Sequence, residues 1–161
     1  MIARKREIFL LLDNIRSVHN VGSIFRTAET LGISRIYCLD TTPVPMDRFG
    51  RKRSDFAKVA LGAEDMIPWE HINEAGALLR SLKKDGFEIV ALEQNEKSVD
   101  YKTVGFKGSK VLVILGNEVE GVSKELLKFA DVVAEIPMRG DKESLNVSVA
   151  AGIFLYRLFD R

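Results

Sequence analysis

Residues Val111–Leu115 restrict the folds open to this chain more than any other segment does. All five are apolar, three are β-branched, and no polar residue alternates with them. Such a run is typical of a strand that is covered on both faces, as in the interior of a parallel sheet. Other short apolar runs occur at Glu7–Asp13, Arg35–Leu39, Phe87–Leu92 and Val132–Ile136. The sequence therefore predicts a sheet of several buried strands.

Segments with the apolar spacing of helices lie between these strands. They are Asn20–Leu31 followed by Gly32, Ser54–Leu61, Ile72–Lys84, Ser123–Phe129 and Ser144–Phe159, while Asp65–Pro68 is predicted as a short strand and Thr41–Arg53 and Glu93–Gly108 as loops. Strands that alternate with helices predict an α/β fold with a mainly parallel sheet flanked by helices. Because ligands of such folds bind at the carboxyl ends of strands, we expect the functional residues just after Asp13, Leu92, Leu115 and Ile136.

The overall composition narrows the class of protein. The chain has 161 residues, of which 46% are hydrophobic and 29% are charged, and this is ordinary for one soluble domain over residues 1–161. The longest apolar runs are far too short to cross a membrane, and no signal-peptide core follows the basic first residues. We therefore expect a cytoplasmic protein.

Residue types that bind transition metals are scarce. Cys38 is the only cysteine, and His19 and His71 are the only histidines. One cysteine excludes an internal disulfide and a thiolate cluster, and two histidines are too few for the usual zinc ligand sets. The sequence therefore predicts no metal site.

The segment from Asn20 to Ala28 is the first polar group that follows a predicted strand. Asn20 is a good helix N-cap, Gly22 leaves the backbone open to a close contact, and Arg26 lies opposite the apolar stripe. Two interpretations fit this spacing. One is a capped helix with a solvated arginine, and the other is a helix start that binds an anion with the help of the guanidinium.

The segment Leu115–Ser123 is the second polar group. A buried strand runs here into a turn with Gly116 and Gly121 on either side of Glu118. No Gly-Lys-Ser or Gly-Lys-Thr follows, which excludes a Walker loop, and the spacing is not the dinucleotide fingerprint. A tight turn with exposed acids and a turn that binds a ligand both fit this segment.

The segment from Ile136 to Phe159 is the third group, and it fits an ordinary surface helix poorly. Residues from Leu145 to Leu155 are small or apolar nearly all round, whereas a surface helix has one apolar stripe. We expect this helix to be covered by the core and by a second subunit. Ser144 and Asn146 are the polar exceptions, and capping alone would explain only one of them.

A basic cluster lies in the predicted loop before the second helix. It consists of Arg48, Arg51, Lys52 and Arg53 and contains an aromatic residue, Phe49. The net charge of the whole chain is only +1, so the cluster is a local feature. It is either a solvated loop or a patch that contacts nucleic-acid phosphates.

Taken in order, the three polar groups resemble the three motifs of the SpoU (TrmH-like) family of SPOUT methyltransferases, over a match from Leu10 to Phe159. The motifs correspond to Asn20, Gly22, Arg26 and Ala28, to Leu115–Glu118 with Gly121 and Ser123, and to Ile136–Met138 with Ser144–Ala150. Val119 and Glu120 depart from the small residue that the family often has after its glutamate, which concerns the detail of one loop and not the class.

The resemblance implies a fold, a cofactor and an assembly. The fold is an α/β sheet with a deep C-terminal trefoil knot, in which the chain from about Leu112 onward is threaded through a loop. The methyl donor is S-adenosylmethionine, and the assembly is an obligate homodimer. The residues implied to line the cofactor are Ala91, Leu92, Gly116, Asn117, Ile136, Met138, Ser144 and Leu145.

The activity implied by the resemblance is methylation of a ribose 2′-hydroxyl in RNA. Arg26 would act on that hydroxyl, with Asn20, Glu118, Ser144 and Asn146 shaping the site. Because arginine keeps its proton up to a pKa above about 12, we expect Arg26 to stabilise the forming alkoxide or to bind the adjoining phosphate, and not to act as the base.

Three alternatives accompany this expectation. Ribosomal RNA competes with transfer RNA as the substrate, and transfer RNA is favoured only because the chain is compact. A non-catalytic RNA-binding module is disfavoured because Arg26, Glu118 and Asn146 are all present. Methylation of a base is disfavoured because Ser144–Asn146 occurs together with Asn20 and Arg26.

Overall fold

The computed structural model describes residues 6–159, and these residues form a parallel α/β sheet with helices on both faces. The strands are β1 (Glu7–Asp13), β2 (Arg35–Leu39), β3 (Trp69–Ile72), β4 (Glu88–Leu92), β5 (Val99–Asp100), β6 (Lys110–Leu115) and β7 (Val132–Glu135). The helices are α1 (Val18–Thr30), α2 (Ser54–Ala60), α3 (Ala63–Met66), α4 (Gly76–Lys84), α5 (Lys124–Leu127) and α6 (Val147–Phe159). The sheet order is β3-β2-β1-β6-β4-β7-β5, and every neighbouring pair is parallel. The predicted fold class is therefore confirmed.

The strand with the strongest apolar run lies at the middle of the sheet. β6 pairs with β1 on one side and with β4 on the other, so that Val113 lies beside both Leu10 and Val90. Successive side chains of a strand point to opposite faces, and Val113 packs in one core cluster while Leu112 packs in the other. The run lacks polar alternation because both faces of β6 are covered.

Each face of the sheet has its own set of helices. On one face, α1, α2 and α6 contribute Phe25, Phe56 and Phe154 to a single apolar cluster. On the other face, α4 and α5 contribute Leu79 and Leu126 to a second cluster. Among the described residues, no helix combines the length and the apolar character that crossing a membrane requires.

Helix α1 begins earlier than the sequence pattern predicts. Its N-cap is Ser17, whose side chain accepts a hydrogen bond from the backbone N–H of Asn20 at 3.2 Å. The prediction that Asn20 is the N-cap is therefore wrong, because a serine three residues earlier supplies the acceptor. The predicted end is confirmed, since Gly32 follows the helix with φ +67°.

Several short elements also differ from the predictions. Asp65–Pro68 is not a strand, and the predicted loop Glu93–Gly108 contains strand β5. Helix α4 begins at Gly76 and not at Ile72, and α5 is confined to Lys124–Leu127 without a side-chain cap from Ser123. Elements this short depend on their tertiary partners. β3, for example, forms where Trp69 pairs with Ile36 of β2.

Helix α6 begins at Val147, three residues later than predicted. The side-chain oxygen of Asn146 accepts hydrogen bonds from the backbone N–H groups of Ser148 and Val149, at 2.9 and 3.4 Å. Asn146 is thus the cap of this helix. Ser144 lies in the irregular segment before the helix.

One side of α6 is buried and the other is exposed. Its buried side chains, Ala151, Phe154, Leu155 and Leu158, pack against the core. Its exposed apolar side chains are Val149, Ile153, Tyr156 and Phe159, and Leu145 lies exposed just before the helix. We refer to these five residues as the exposed α6 face. The core of the chain therefore covers one side of α6, and the other side, which we expect a second subunit to cover, is exposed.

Candidate active site

A cavity of about 520 Å³ opens at the carboxyl ends of β4, β6 and β7, and we call it the strand-end cavity. It is lined by residues 92–94, 115–119, 121, 135, 136, 138, 143–147 and 150. The three strands are parallel, so the loops that follow them meet at one edge of the sheet. This is the edge at which the α/β pattern predicts a ligand site.

Most residues expected to contact a cofactor line this cavity. They are Leu92, Gly116, Asn117, Ile136, Met138, Ser144 and Leu145, and the expected catalytic residues Glu118 and Asn146 line it too. Ala91 does not line it, because its side chain is fully buried in the core cluster under α4. The expected contact of Ala91 with a cofactor stays a prediction.

The charge in the strand-end cavity has one sign. Glu93, Glu118, Glu135 and Glu143 line it, while its described lining contains no lysine, arginine or histidine. Much of the remaining wall is apolar, as at Leu92, Leu115, Ile136 and Met138. Such a cavity favours a ligand with an apolar body and a positive charge, and it disfavours a polyphosphate.

The loop of residues 116–122 forms one wall of the cavity and has a tight conformation. Its first residue, Gly116, lies so close to its last residues that a Cβ at position 116 would be 2.3 Å from the backbone of Gly121 and Val122. The side-chain oxygen of Asn117 accepts hydrogen bonds from the N–H groups of Val119 and Glu120, at 2.8 and 3.0 Å. Gly116 is therefore required by the folding of the loop itself.

Glu93 fastens the same loop to the end of β4. Its Oε2 atom accepts a hydrogen bond from the backbone N–H of Val122 at 2.6 Å, and its Oε1 atom accepts one from Gln94 at 2.8 Å. A Cβ at Gly121, where φ is +71°, would lie 1.9 Å from Glu93 Oε2. Sequence reasoning missed Glu93, although it directly follows the end of a predicted strand.

Asp13, the last residue of β1, holds the end of the loop that leads into α5. It is only 2% exposed, and its Oδ2 atom accepts a hydrogen bond from the backbone N–H of Ser123 at 2.7 Å. Asn117 adds a second link, since its side-chain amide donates to the carbonyl of Asn14 at 2.7 Å. The end of β1 thus holds the loop that follows β6, and the sequence contains no signal for this pairing across about a hundred positions.

Three polar side chains from the three motifs form a chain of hydrogen bonds. The amide of Asn146 donates to the side-chain oxygen of Asn20 at 3.0 Å, and the amide of Asn20 donates to Glu118 at 3.1 Å. Glu118 also accepts from the backbone N–H groups of Arg16 and Ser17, at 3.1 and 3.2 Å. The structure therefore brings Asn20, Glu118 and Asn146 together, as the motifs predict.

These hydrogen bonds affect the ionisation of Glu118. Partial burial raises the pKa of its carboxyl, but the hydrogen bonds from Asn20 and from backbone N–H groups lower it by more, so that the pKa lies below its ordinary value. Glu118 is therefore a carboxylate at neutral pH. Asn20, which is 7% exposed, is held by this carboxylate in the orientation that reaches Asn146.

Arg26 lies outside the strand-end cavity. It lines a separate open groove of about 510 Å³ with His19, Ser23, Thr27, Thr30, Lys58, Val59, Leu61 and Tyr156, which we call the Arg26 groove. Six helical positions separate Arg26 from Asn20, a rotation of roughly 240° about the axis of α1. Their side chains therefore leave the helix on different sides, and one chain does not bring Arg26 to the cavity.

The predicted RNA-binding cluster is largely paired with acids. Arg51 lies 2.9 Å from Asp47, Lys52 2.7 Å from Asp65, and Arg53 2.7 Å from Asp55. Arg48 forms no ion pair within residues 6–159, and its guanidinium lies over the ring of Phe49. The cluster thus has less free positive charge than its sequence indicates.

Two other features bear on the chemistry. Burial raises the pKa of Cys38 to about 12, so this thiol is a core side chain and not a nucleophile. Within residues 6–159, no three side chains of His, Cys, Asp or Glu are placed to hold a metal ion.

The parallel sheet, the cavity at its carboxyl edge and the three converging motifs define a ligand-binding α/β protein. The chain belongs to the SpoU rRNA Methylase family, whose sequence model matches residues 7–156. The resemblance stated from the three motifs is therefore confirmed.

Curated relatives include methyltransferases that act on two kinds of RNA. The tRNA (guanosine(18)-2′-O)-methyltransferase of Aquifex aeolicus is 33% identical over 153 residues, which are 95% of this chain and 69% of that protein. The 23S rRNA (guanosine-2′-O-)-methyltransferase RlmB of Xanthomonas campestris is 32% identical over 154 residues, 96% of this chain and 59% of that protein. The chain thus spans about three fifths to seven tenths of the length of these relatives, and a single domain over residues 1–161 stays a prediction.

A solved structure supports the same family. The AdoMet-bound rRNA methyltransferase from Sinorhizobium meliloti has a TM-score of 0.83 and 32% sequence identity to this chain. The matched region covers 96% of this chain and 56% of the Sinorhizobium meliloti chain. The predicted fold is that of SpoU methyltransferases, including one whose structure contains S-adenosylmethionine.

Proposed function

We propose that this chain transfers a methyl group from S-adenosylmethionine to a ribose 2′-hydroxyl in RNA, with transfer RNA the favoured substrate. The observation that carries the proposal is the convergence of Asn20, Glu118 and Asn146 beside the strand-end cavity in a SpoU family member. Ribosomal RNA is the second candidate, because the curated relatives act on either RNA.

The strand-end cavity fits S-adenosylmethionine in charge and in its apolar lining. The cofactor carries a sulfonium and an ammonium against one carboxylate, and the cavity offers four carboxylates without an opposing cation. Leu92, Ile136, Met138 and Leu145 supply an apolar wall for the adenine. When bound, the cofactor supplies an electrophilic methyl group.

The residues of this chain orient the acceptor and manage its proton. The hydrogen-bonded chain from Glu118 through Asn20 holds Asn146 at the cavity, where its neighbour Ser144 also faces the ligand. A positioned hydroxyl gains most of its reactivity from proximity and alignment. As the 2′-oxygen takes the methyl group and its proton passes to solvent, Arg26 stabilises the negative charge on that oxygen or binds the adjoining phosphate, since its guanidinium stays charged.

The proposal includes a homodimer formed through the exposed α6 face. Five apolar side chains there lie uncovered, and Tyr156 of this face also lines the Arg26 groove, while Leu145 lines the strand-end cavity. A second copy packed on this face would bring its own α6, and the cavity at the start of that helix, close to the groove. This contact would place Arg26 of one subunit beside the strand-end cavity of the other subunit.

The knot belongs to the same proposal. β7 enters the sheet between β4 and β5, which both precede it in the chain, and Asn117 is tied to Asn14 near the start. We propose that the segment from about Leu112 passes through a loop of the preceding chain. Tracing these crossings in an experimental structure tests it. A cytoplasmic location also stays part of the proposal.

One experiment tests the activity. The purified protein is incubated with tritiated S-adenosylmethionine and total RNA, and the RNA is digested to nucleosides for mass spectrometry. We expect label only in 2′-O-methylnucleosides. Label on a base would replace ribose with base chemistry, and cofactor binding without transfer to any RNA would indicate a non-catalytic module.

A second measurement identifies the RNA. The 2′-O-methyl positions of total RNA are mapped in cells with and without the protein. We expect one or a few transfer RNA positions to lose their methyl group. Loss confined to ribosomal RNA would overturn the preference for transfer RNA and leave the chemistry intact.

A further inference from the structure

Phe49 is an exposed aromatic side chain that lies beside two guanidinium groups. It is 66% exposed, and the guanidinium carbons of Arg48 and Arg51 lie 4.8 and 5.1 Å from the centre of its ring. The ring makes these cation–π contacts yet leaves most of its surface uncovered. A large aromatic group in this state is suited to a flat partner that carries negative charge nearby.

The turn that presents Phe49 is fixed before any partner binds. The Asp47 carboxylate accepts hydrogen bonds from the backbone N–H groups of Phe49 and Arg51, at 2.8 and 3.0 Å, and from the Arg51 side chain at 2.9 Å. Gly50, with φ +74°, donates to the carbonyl of Asp47 at 3.0 Å. Little conformational entropy is therefore lost when a ligand contacts the ring.

The distribution of charge concentrates binding at this ring. Arg51, Lys52 and Arg53 each pair with an aspartate, whereas Arg48 forms no ion pair within the described residues. The free cation of the cluster therefore lies against the exposed ring. A phosphate at Arg48 and a base on Phe49 would belong to the same bound nucleotide or to adjacent ones.

We propose that Phe49 and Arg48 form a stacking site for an unpaired base of the RNA substrate. Unpaired bases stack on exposed aromatic rings and on arginine planes, and the adjoining phosphate takes a free cation. The proposal rests on the proposed function, because it assumes that the chain binds RNA.

The position of the site in the fold suits this role. The loop that carries Phe49 leads directly into α2. The other end of α2 contributes Lys58 and Val59 to the Arg26 groove, and the turn that follows the helix contributes Leu61. Helix α2 has seven residues and is therefore roughly 10 Å long. One RNA strand can therefore contact both.

Binding of unfractionated transfer RNA to variants at position 49 tests the proposal. Phe49→Ala and Phe49→Leu should each weaken binding about 5- to 150-fold, since loss of a stacked base costs roughly 1–3 kcal/mol. Phe49→Trp should bind as the wild type does, and the added tryptophan fluorescence should be quenched by RNA, measured against the background of Trp69. Met66→Ala, which changes an exposed apolar side chain on α3, should have no effect.

The salt dependence separates stacking from phosphate contacts. Phe49→Ala should leave the slope of log affinity against log salt unchanged, whereas Arg48→Gln should reduce it by about one. Wild-type affinity in Phe49→Ala, or a Phe49→Trp signal that saturating RNA does not quench, would overturn the proposal. A change in the sedimentation of Phe49→Ala without RNA would do so too, by indicating a protein contact. If the wild type neither binds nor methylates RNA, the proposed function itself fails; if it methylates RNA while Phe49→Ala binds normally, only this inference fails.

Discussion

The strand-end cavity and the Arg26 groove differ most clearly in their charge. The cavity has four lining carboxylates and no described cationic side chain, whereas the groove has Arg26 and Lys58 and no described acid. Both volumes are similar, so size does not separate their roles. Opposite charge does, because carboxylates favour a sulfonium cofactor and cationic side chains favour an RNA phosphate.

The two sites also differ in how firmly their parts are held. The wall of the cavity is fastened by Asp13, Glu93 and Asn117, each through hydrogen bonds to backbone atoms. Arg26 is exposed on the outer side of α1, beside the exposed α6 face. In the proposed dimer, one chain forms the cofactor site, whereas the substrate site needs the second copy as well.

The largest effect is expected from Arg26→Ala. Methyl transfer should fall by roughly 10²- to 10³-fold, the usual loss when a group that stabilises a developing oxyanion is removed. Binding of S-adenosylmethionine, measured by calorimetric titration, should not change, because Arg26 lies outside the cavity. Lys58→Gln, in the same groove, is the matched control and should weaken RNA binding more than turnover. Retained turnover in Arg26→Ala would remove this residue from the chemistry.

A smaller effect is expected from Glu93→Ala. The N–H of Val122 would lose its acceptor, and a buried unsatisfied donor costs roughly 1–3 kcal/mol, so affinity for S-adenosylmethionine should fall about tenfold. Glu93→Gln keeps a side-chain oxygen and should restore most of the affinity. Glu96→Ala, nearby and exposed, serves as the control. Equal affinity of Glu93→Ala and wild type would show that the loop holds its shape without this contact.

A still smaller effect tests the charge of the cavity. Glu135→Gln combined with Glu143→Gln should reduce the preference for S-adenosylmethionine over S-adenosylhomocysteine about two- to fourfold, because the product lacks the sulfonium charge and partly exposed charge pairs contribute roughly 0.2–1 kcal/mol. The two dissociation constants are measured by titration, with Glu125→Gln on α5 as the control. An unchanged ratio would mean that shape alone selects the ligand.

The smallest effect concerns Glu118 and pH. Its pKa is lower in the folded chain than its ordinary value of 4.5, so the ionised group stabilises the fold above that pH and loses this contribution as the pH falls through the lowered pKa. Urea midpoints measured from pH 7 to pH 3.5 should therefore fall less steeply for Glu118→Gln than for the wild type. Parallel curves would show that the hydrogen bonds to Glu118 do not favour its charged form.

Local sequence patterns correctly predicted elements that depend on residue type alone. The β-branched run of β6 required cover on both faces, and the end of α1 followed from Gly32. The start of α1 was misplaced because Ser17 and Asn20 are both good caps, and only the position of Glu118, which takes the Asn20 side chain, separates them. The start of α6 was misplaced in the same way, since both Ser144 and Asn146 have capping side chains.

The sequence by itself determined the parallel α/β class, the family and the three motifs, because these depend on residue type and spacing along the chain. Only the tertiary structure decided that Asn146 meets Asn20, that Glu93 fastens the loop after β6, and that Arg26 faces a different site from Glu118. The physical reason is distance along the chain. Hydrogen bonds between residues about 30 to 126 positions apart, and the sorting of charges between two cavities, arise only when the strands are ordered in the sheet.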